Sequence, residues 1–306
     1  MFQKLKEWNN MLKTKKAFTI IEIMMSMVFL SVMMILIGYT IIRFMNIYNK
    51  GISIKNVNET ADLIIGDMQD SIASGSYVKC AIKYKNYDNM RLLASDSETC
   101  KKLLNNDPSE EITGGAICTG RVSYVWNYGA SLQKAQEDPN YNRYLFRYKD
   151  QAGNPKNIRM ARINDLSGIY CTDNITGITA SVNPNAVPAL YKVNSNELST
   201  KNSVIELIED NDKMLALHSL SVTSSAYSQE THQSLYEIEF VLGTFRDKLI
   251  LTEDAQCRTL RQAYDGDKKA DGTIDESTRA TEQDINHCAI NKFNFAMRGL
   301  KGKGKW

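Results

Sequence analysis

From residue 18 to residue 42 the chain reads FTIIEIMMSMVFLSVMMILIGYTII, an apolar run carrying one charge, Glu22. As a helix, about 25 residues rising 1.5 Å each reach about 38 Å, enough to span a bilayer with some tilt. The apolar period then continues more sparsely through Ile54, Val57, Ala61, Ile64, Ile65, Met68 and Ile72. Asn58, Glu59, Asp62, Asp67, Gln69 and Asp70 fall on the other face. Steps of three and four predict an amphipathic helix, and Ser74-Gly75-Ser76 supplies its stop. The pattern therefore predicts one helix from about residue 18 to 73. Gly38 and Gly51 permit local unwinding, and no proline forces a kink.

Beyond residue 76 the pattern changes to strands and polar loops. Residues 121–127 alternate Val122, Tyr124 and Trp126 on one face, and 144–148, 158–163, 215–222, 236–241 and 248–252 also read as strands. No ten-residue helical pattern recurs between them, so an antiparallel sheet is expected instead of alternating βαβ units. The fold class is α+β, a long N-terminal helix on an antiparallel β-sheet. Segments 95–115, 173–199 and 265–284 read as long polar loops, with Gly114-Gly115 as a turn.

Charge separates the ends from the middle. Of 37 Lys and Arg and 35 Asp and Glu, residues 1–17 hold five lysines and one glutamate, which leaves 32 basic and 34 acidic residues. That balance argues against a polyanion-binding body; only Arg298, Lys301, Lys303 and Lys305 form a short basic tail. The tail reads as solubilising, although Trp306 beside lysines is also a pattern for single-stranded nucleic acid. Lys13, Lys15 and Lys16 directly precede the apolar run, which places the N-terminus in the cytoplasm and the bulk outside. A secretory signal peptide fits poorly: its apolar region is shorter and a small-x-small site follows it. Here the run passes into Arg43-Phe44-Met45-Asn46.

Catalytic patterns are not found. His218, His232 and His287 lie far apart and outside any metal or nucleophile motif. Glu237 and Glu239 alternate on one strand face, as a solvated face does. The reading is a non-enzyme without a cofactor. One stretch, DGDKKADGTIDEST, resembles a calcium loop with Asp267 at its first place and Asp271, Thr273 and Asp275 as oxygen ligands. Lys269 occupies the third place and Thr278 stands where a bidentate Glu belongs, so an acidic exposed loop is the competing reading. Cys80, Cys100, Cys118, Cys171, Cys257 and Cys288 all lie beyond the apolar run and contain no CxxC pair. Their even number and wide spacing read as disulfides made in an oxidising compartment, with buried free thiols as the alternative.

Lys15-Lys16-Ala17-Phe18-Thr19-Ile20-Ile21-Glu22, opening the long apolar run, resembles the processing signal of type IV prepilins and pseudopilins. The resemblance covers about the first 35 residues. It implies cleavage by a prepilin peptidase between Ala17 and Phe18 and methylation of the new N-terminus at Phe18. Glu22 then takes the family's acidic place, where it neutralises the α-amino group of a neighbouring subunit inside a dry filament core; a buried charge is tolerated there only when paired. Ala17 departs from the glycine usual before the cut, and a start at Met11 would shorten the leader to seven residues.

On this reading residues 1–17 are a cleaved basic leader, 18–42 the membrane-spanning and filament-core helix, 43–75 its amphipathic continuation and 76–306 an exported β-rich head. The implied fold is type IV pilin-like. Residues 217–222, 235–245 and 291–298 are similar to closing strands of large minor pilins of the PilW type and of pseudopilin J. The resemblance also implies a disulfide Cys257–Cys288 bounding the C-terminal region. Cys100–Cys118 and Cys80–Cys171 complete one of fifteen pairings, and calcium in that region occurs among pseudopilins.

The expected function is a minor pilin helping to initiate or cap a type IV pilus. Its partners are other pilins or pseudopilins, the prepilin peptidase and the inner-membrane assembly platform. Location is the cytoplasmic membrane, single-pass with the head outside, then a filament tip. A large head favours a place near the tip, and a retained Glu22 a place below the topmost subunit. Alternatives are a type II secretion pseudopilin, a tip adhesin or DNA-uptake subunit, and an uncleaved anchored receptor.

Overall fold

The computed structural model describes residues 19–75, 78–85, 91–93, 111–149, 153–164, 204–209, 215–228, 233–245, 250–251, 256–268, 272–275, 279, 285 and 287–300. The chain divides into two compact units, Met1–Tyr48 and Asn49–Trp306. Helix α1 (Ile20–Ala73) is continuous through Gly38 and Gly51. Its end matches the sequence pattern. Ser74 Oγ donates to the Asp70 carbonyl at 2.7 Å, and the Gly75 amide donates to the Ile72 carbonyl at 3.2 Å. A Cβ on Gly75 would lie 2.6 Å from the Thr119 carbonyl oxygen, so the chain can pass there only as glycine.

The second unit is an α+β fold with two principal antiparallel sheets. Its strands in chain order are β1 (Lys79–Tyr84), β2 (Arg91–Leu93), β3 (Ile112–Cys118), β4 (Val122–Asn127), β5 (Arg147–Lys149), β6 (Pro155–Asn157), β7 (Met160–Asn164), β8 (Val204–Ile208), β9 (Leu215–Ser228) and β10 (Gln233–Thr244), then β11 (Ile250–Leu251), β12 (Gln256–Cys257), β13 (Asp267–Lys268), β14 (Ile274–Asp275) and β15 (Ile290–Leu300). The larger sheet has the order β2-β1-β3-β4-β7-β8 and the second β15-β10-β9. A parallel bridge between Tyr128 and Leu217 joins them.

One apolar core serves α1 and both sheets. Val57, Ala61, Ile64, Met68 and Ile72 of α1 pack with Tyr124, Trp126, Met160, Leu217, Ile238 and Phe240. The other face of the six-stranded sheet is covered as well: Ala116, Val125, Ala161 and Ile163 cluster with Phe146 and Ile158. A sheet buried on both sides loses the alternation by which strands are recognised. Five of the six residues of β4 are accordingly buried.

Several expectations change. Gly114-Gly115 is no turn; both lie inside β3, opposite Asn127 and Trp126 of β4. A Cβ on Gly114 would stand 2.1 Å from the Trp126 carbonyl oxygen, so close strand approach requires glycine there. Segment 95–115 therefore ends in a strand, and 265–284 contains the β13–β14 hairpin. Segment 173–199 lies outside the described residues. Residues 144–148 are partly a 3-10 turn (Pro139–Tyr144) before β5, and a nine-residue helix α2 (Gly129–Glu137) stands between β4 and β5. Ile54, expected on the buried face of α1, is exposed, and Asp67, expected on the polar face, is half-buried.

Candidate functional site

At the N-terminus of α1, Thr19 and Glu22 cap the helix reciprocally. The Thr19 amide and hydroxyl both donate to Glu22 Oε2 at 3.0 Å, and the Glu22 amide donates to Thr19 Oγ1 at 3.3 Å. This is a capping box, which satisfies donors that the first helical turn leaves open. Its signature is the T-x-x-E spacing. Glu22 Oε1 takes no bond among the described residues. Ala17 and Phe18 lie outside them. No described residue before Asn49 is buried, although most are apolar. Among the described residues, α1 is the one helix long and apolar enough to cross a membrane. At the far end of the apolar run Arg43 Nε donates to Tyr39 Oη at 3.0 Å, its guanidinium 5.5 Å from the Tyr39 ring centre.

The head places its charged clusters where the elements join. Asp67 on α1 accepts from Tyr124 Oη at 2.5 Å and from Arg162 Nη1 at 2.6 Å, binding helix to sheet. Burial, then the hydrogen bond to Asp67, push the Tyr124 phenol well above its usual range. Glu111, just before β3, accepts from Lys134 of α2 at 2.6 Å, Tyr141 at 2.5 Å and Lys85 at 3.0 Å. Burial raises its pKa, but these three donors outweigh it and hold the carboxyl at about 2. Asn127 is a third junction: its Nδ2 donates to the Phe146 and Ile158 carbonyls, and its Oδ1 accepts from the Phe146 amide. None of the three was singled out from sequence, because each is defined by partners far along the chain.

The remaining candidates stay apart. His218 Nε2 donates to the Thr244 carbonyl at 3.0 Å, a structural bond between neighbouring elements. His287 is exposed, and His232 lies outside the described residues. Glu239 pairs with Lys292 at 2.8 Å and Glu237 accepts from Asn294 at 2.8 Å, both on the outer face of the three-stranded sheet. Cys257 and Cys288 form a disulfide with Cα atoms 6.0 Å apart. Cys118 is also disulfide-bonded, and its partner is not among the described side chains. Cys100 and Cys171, and the side chain of Cys80, fall outside the description, so the pairings expected for them do too. Asp267 and Asp275 stand opposite each other in the β13–β14 ladder, with Thr273 exposed on the connection and Asp271 outside the described residues. Among the described residues no three His, Cys, Asp or Glu side chains are grouped to hold a metal. Compared with protein-family models, with curated proteins and with solved structures, the chain matches none.

Proposed function

We propose that the chain is a prepilin-like structural subunit, a minor pilin that helps to initiate or cap a type IV pilus. The observation that carries the proposal is the unequal treatment of one helix. Its first part is apolar on every side, and none of its described residues is buried. Its second part buries a single stripe within a folded head. Such a first part needs an apolar surrounding from elsewhere, a bilayer before assembly and other subunits after it.

Glu22 supplies specificity in this reading. Its Oε2 is engaged by Thr19, and its Oε1 remains for a positive group, the α-amino group of an adjacent subunit. Cleavage between Ala17 and Phe18 creates that amino group. A place in a type II secretion pseudopilus uses the same helix and the same carboxylate. The test is the composition of filaments sheared from cells producing an epitope-tagged chain. The mature chain, at few copies per filament and lost in the Glu22→Val variant, is the expected result. A tagged chain that stays in the membrane while filaments form normally without it contradicts the proposal.

A further inference from the structure

Between α1 and β8 lies a groove of about 600 Å³, formed wholly within the second unit. On its helical wall Leu63, Gly66 and Asp70 recur at one-turn spacing, with Asp62 beside them. Its other wall is β8, an end strand of the six-stranded sheet among the described residues. Three features mark this groove. Leu63 is a large apolar side chain left 66% exposed. Gly66 sits in mid-helix, where glycine weakens a helix, and a Cβ there would touch nothing within 4 Å. Every ionisable group on the lining is acidic. Asp67 and Glu206 are held by Arg162 and Lys156, whereas Asp62 and Asp70 make no ion pair among the described residues.

We propose that this groove seats an extended, lysine- or arginine-bearing segment of a neighbouring subunit. An outer strand presents backbone donors and acceptors suited to one more strand. Gly66 lets that strand's main chain approach α1 closely, and Leu63 covers one of its apolar side chains. Asp62 and Asp70 then select for cations and repel acidic segments. Only the identity of the partner as a neighbouring subunit rests on the pilin reading.

The test uses the full chain in lipid nanodiscs and a short synthetic peptide alternating lysine and valine. Binding that weakens with salt is expected, with a loss of about tenfold or more in the Asp62→Lys/Asp70→Lys variant. Gly66→Leu changes no charge and projects into open space, so the chain keeps or slightly raises its unfolding midpoint while peptide affinity falls by a similar factor. No binding to the wild type at low salt overturns the proposal. So does Gly66→Leu binding as tightly as wild type, which reduces the effect to surface charge, or equal affinity for a helical peptide of the same charge. No filament is present in this assay. Groove binding with a failed shearing test removes the pilin reading alone, and the converse removes the groove alone.

Discussion

Residues 20–48 and 49–73 belong to one uninterrupted helix, yet they solve opposite problems. In the second stretch Val57, Ala61, Ile64, Met68 and Ile72 are buried at helical spacing, and Glu59, Asp62, Asp67 and Asp70 lie among the rest. In the first, isoleucine, methionine, leucine and phenylalanine point in all directions and none is buried. Both stretches obey the same backbone hydrogen bonding, so helix formation alone distinguishes nothing. Where the apolar atoms go does: one stretch is stabilised by its own head and the other is left exposed by the described residues. Fully burying a side chain such as Ile64 contributes about 1.5–3 kcal/mol, and that contribution is absent from the first stretch of the isolated chain.

Substitutions at matched positions should expose the difference most strongly. Ile64→Ala or Met68→Ala is expected to cost about 2–5 kcal/mol of head stability, read by denaturant unfolding of the full chain in detergent. Ile35→Ala, an equal loss of volume, should leave that unfolding unchanged within error. Equal losses at both places would break the comparison. Next in size is the junction at Asp67. Asp67→Ala leaves Tyr124 Oη and Arg162 without their carboxylate and is expected to cost about 1–3 kcal/mol. A double variant with Arg162→Leu should cost less than the sum of the two single changes, because the pair acts as a unit.

A smaller effect depends on pH. The Glu111 carboxyl is held at about 2 in the fold, below the usual value of about 4.3 for an unfolded chain. A lowered folded pKa contributes stability that is complete above the unfolded value and disappears as pH falls through it toward about 2. Wild type should therefore exceed Glu111→Gln in thermal midpoint at pH 7 and converge with it as pH is lowered from about 5 toward 2. A gap independent of pH would show that the carboxylate's charge is not what Lys134, Tyr141 and Lys85 recognise. The smallest effect is expected at Glu22→Gln. Its amide oxygen can still accept from Thr19, so helix content and head unfolding should be unchanged while incorporation into filaments falls.

These contrasts also mark what the sequence could tell. The helix and its end at Ala73 were legible because the apolar period is long and Ser74-Gly75 is a chemical stop. Val122, Tyr124 and Trp126 showed β4 because they keep to the side facing the helix. β3 was hidden: its glycines mimic a turn, and the need for them arises from the Trp126 backbone, met only after folding. Asp67 read as a solvated acid because its partners, Tyr124 and Arg162, lie 57 and 95 residues away. At Glu22 the T-x-x-E spacing is the signature of a cap for its own helix, and the same acid is the one proposed to meet another chain. The capping role is visible in the single molecule; the other needs a second one.

Whether this helix is processed for assembly, as proposed, is read from the mass of the mature N-terminus. Intact-mass and N-terminal peptide analysis of the membrane-extracted chain, from wild-type and prepilin-peptidase-deficient cells, would be compared. A chain beginning at Phe18 with one added methyl group only when the peptidase is present is the expected result. A chain that retains residues 1–17 in both strains would contradict it and leave a membrane-anchored domain with an unprocessed helix.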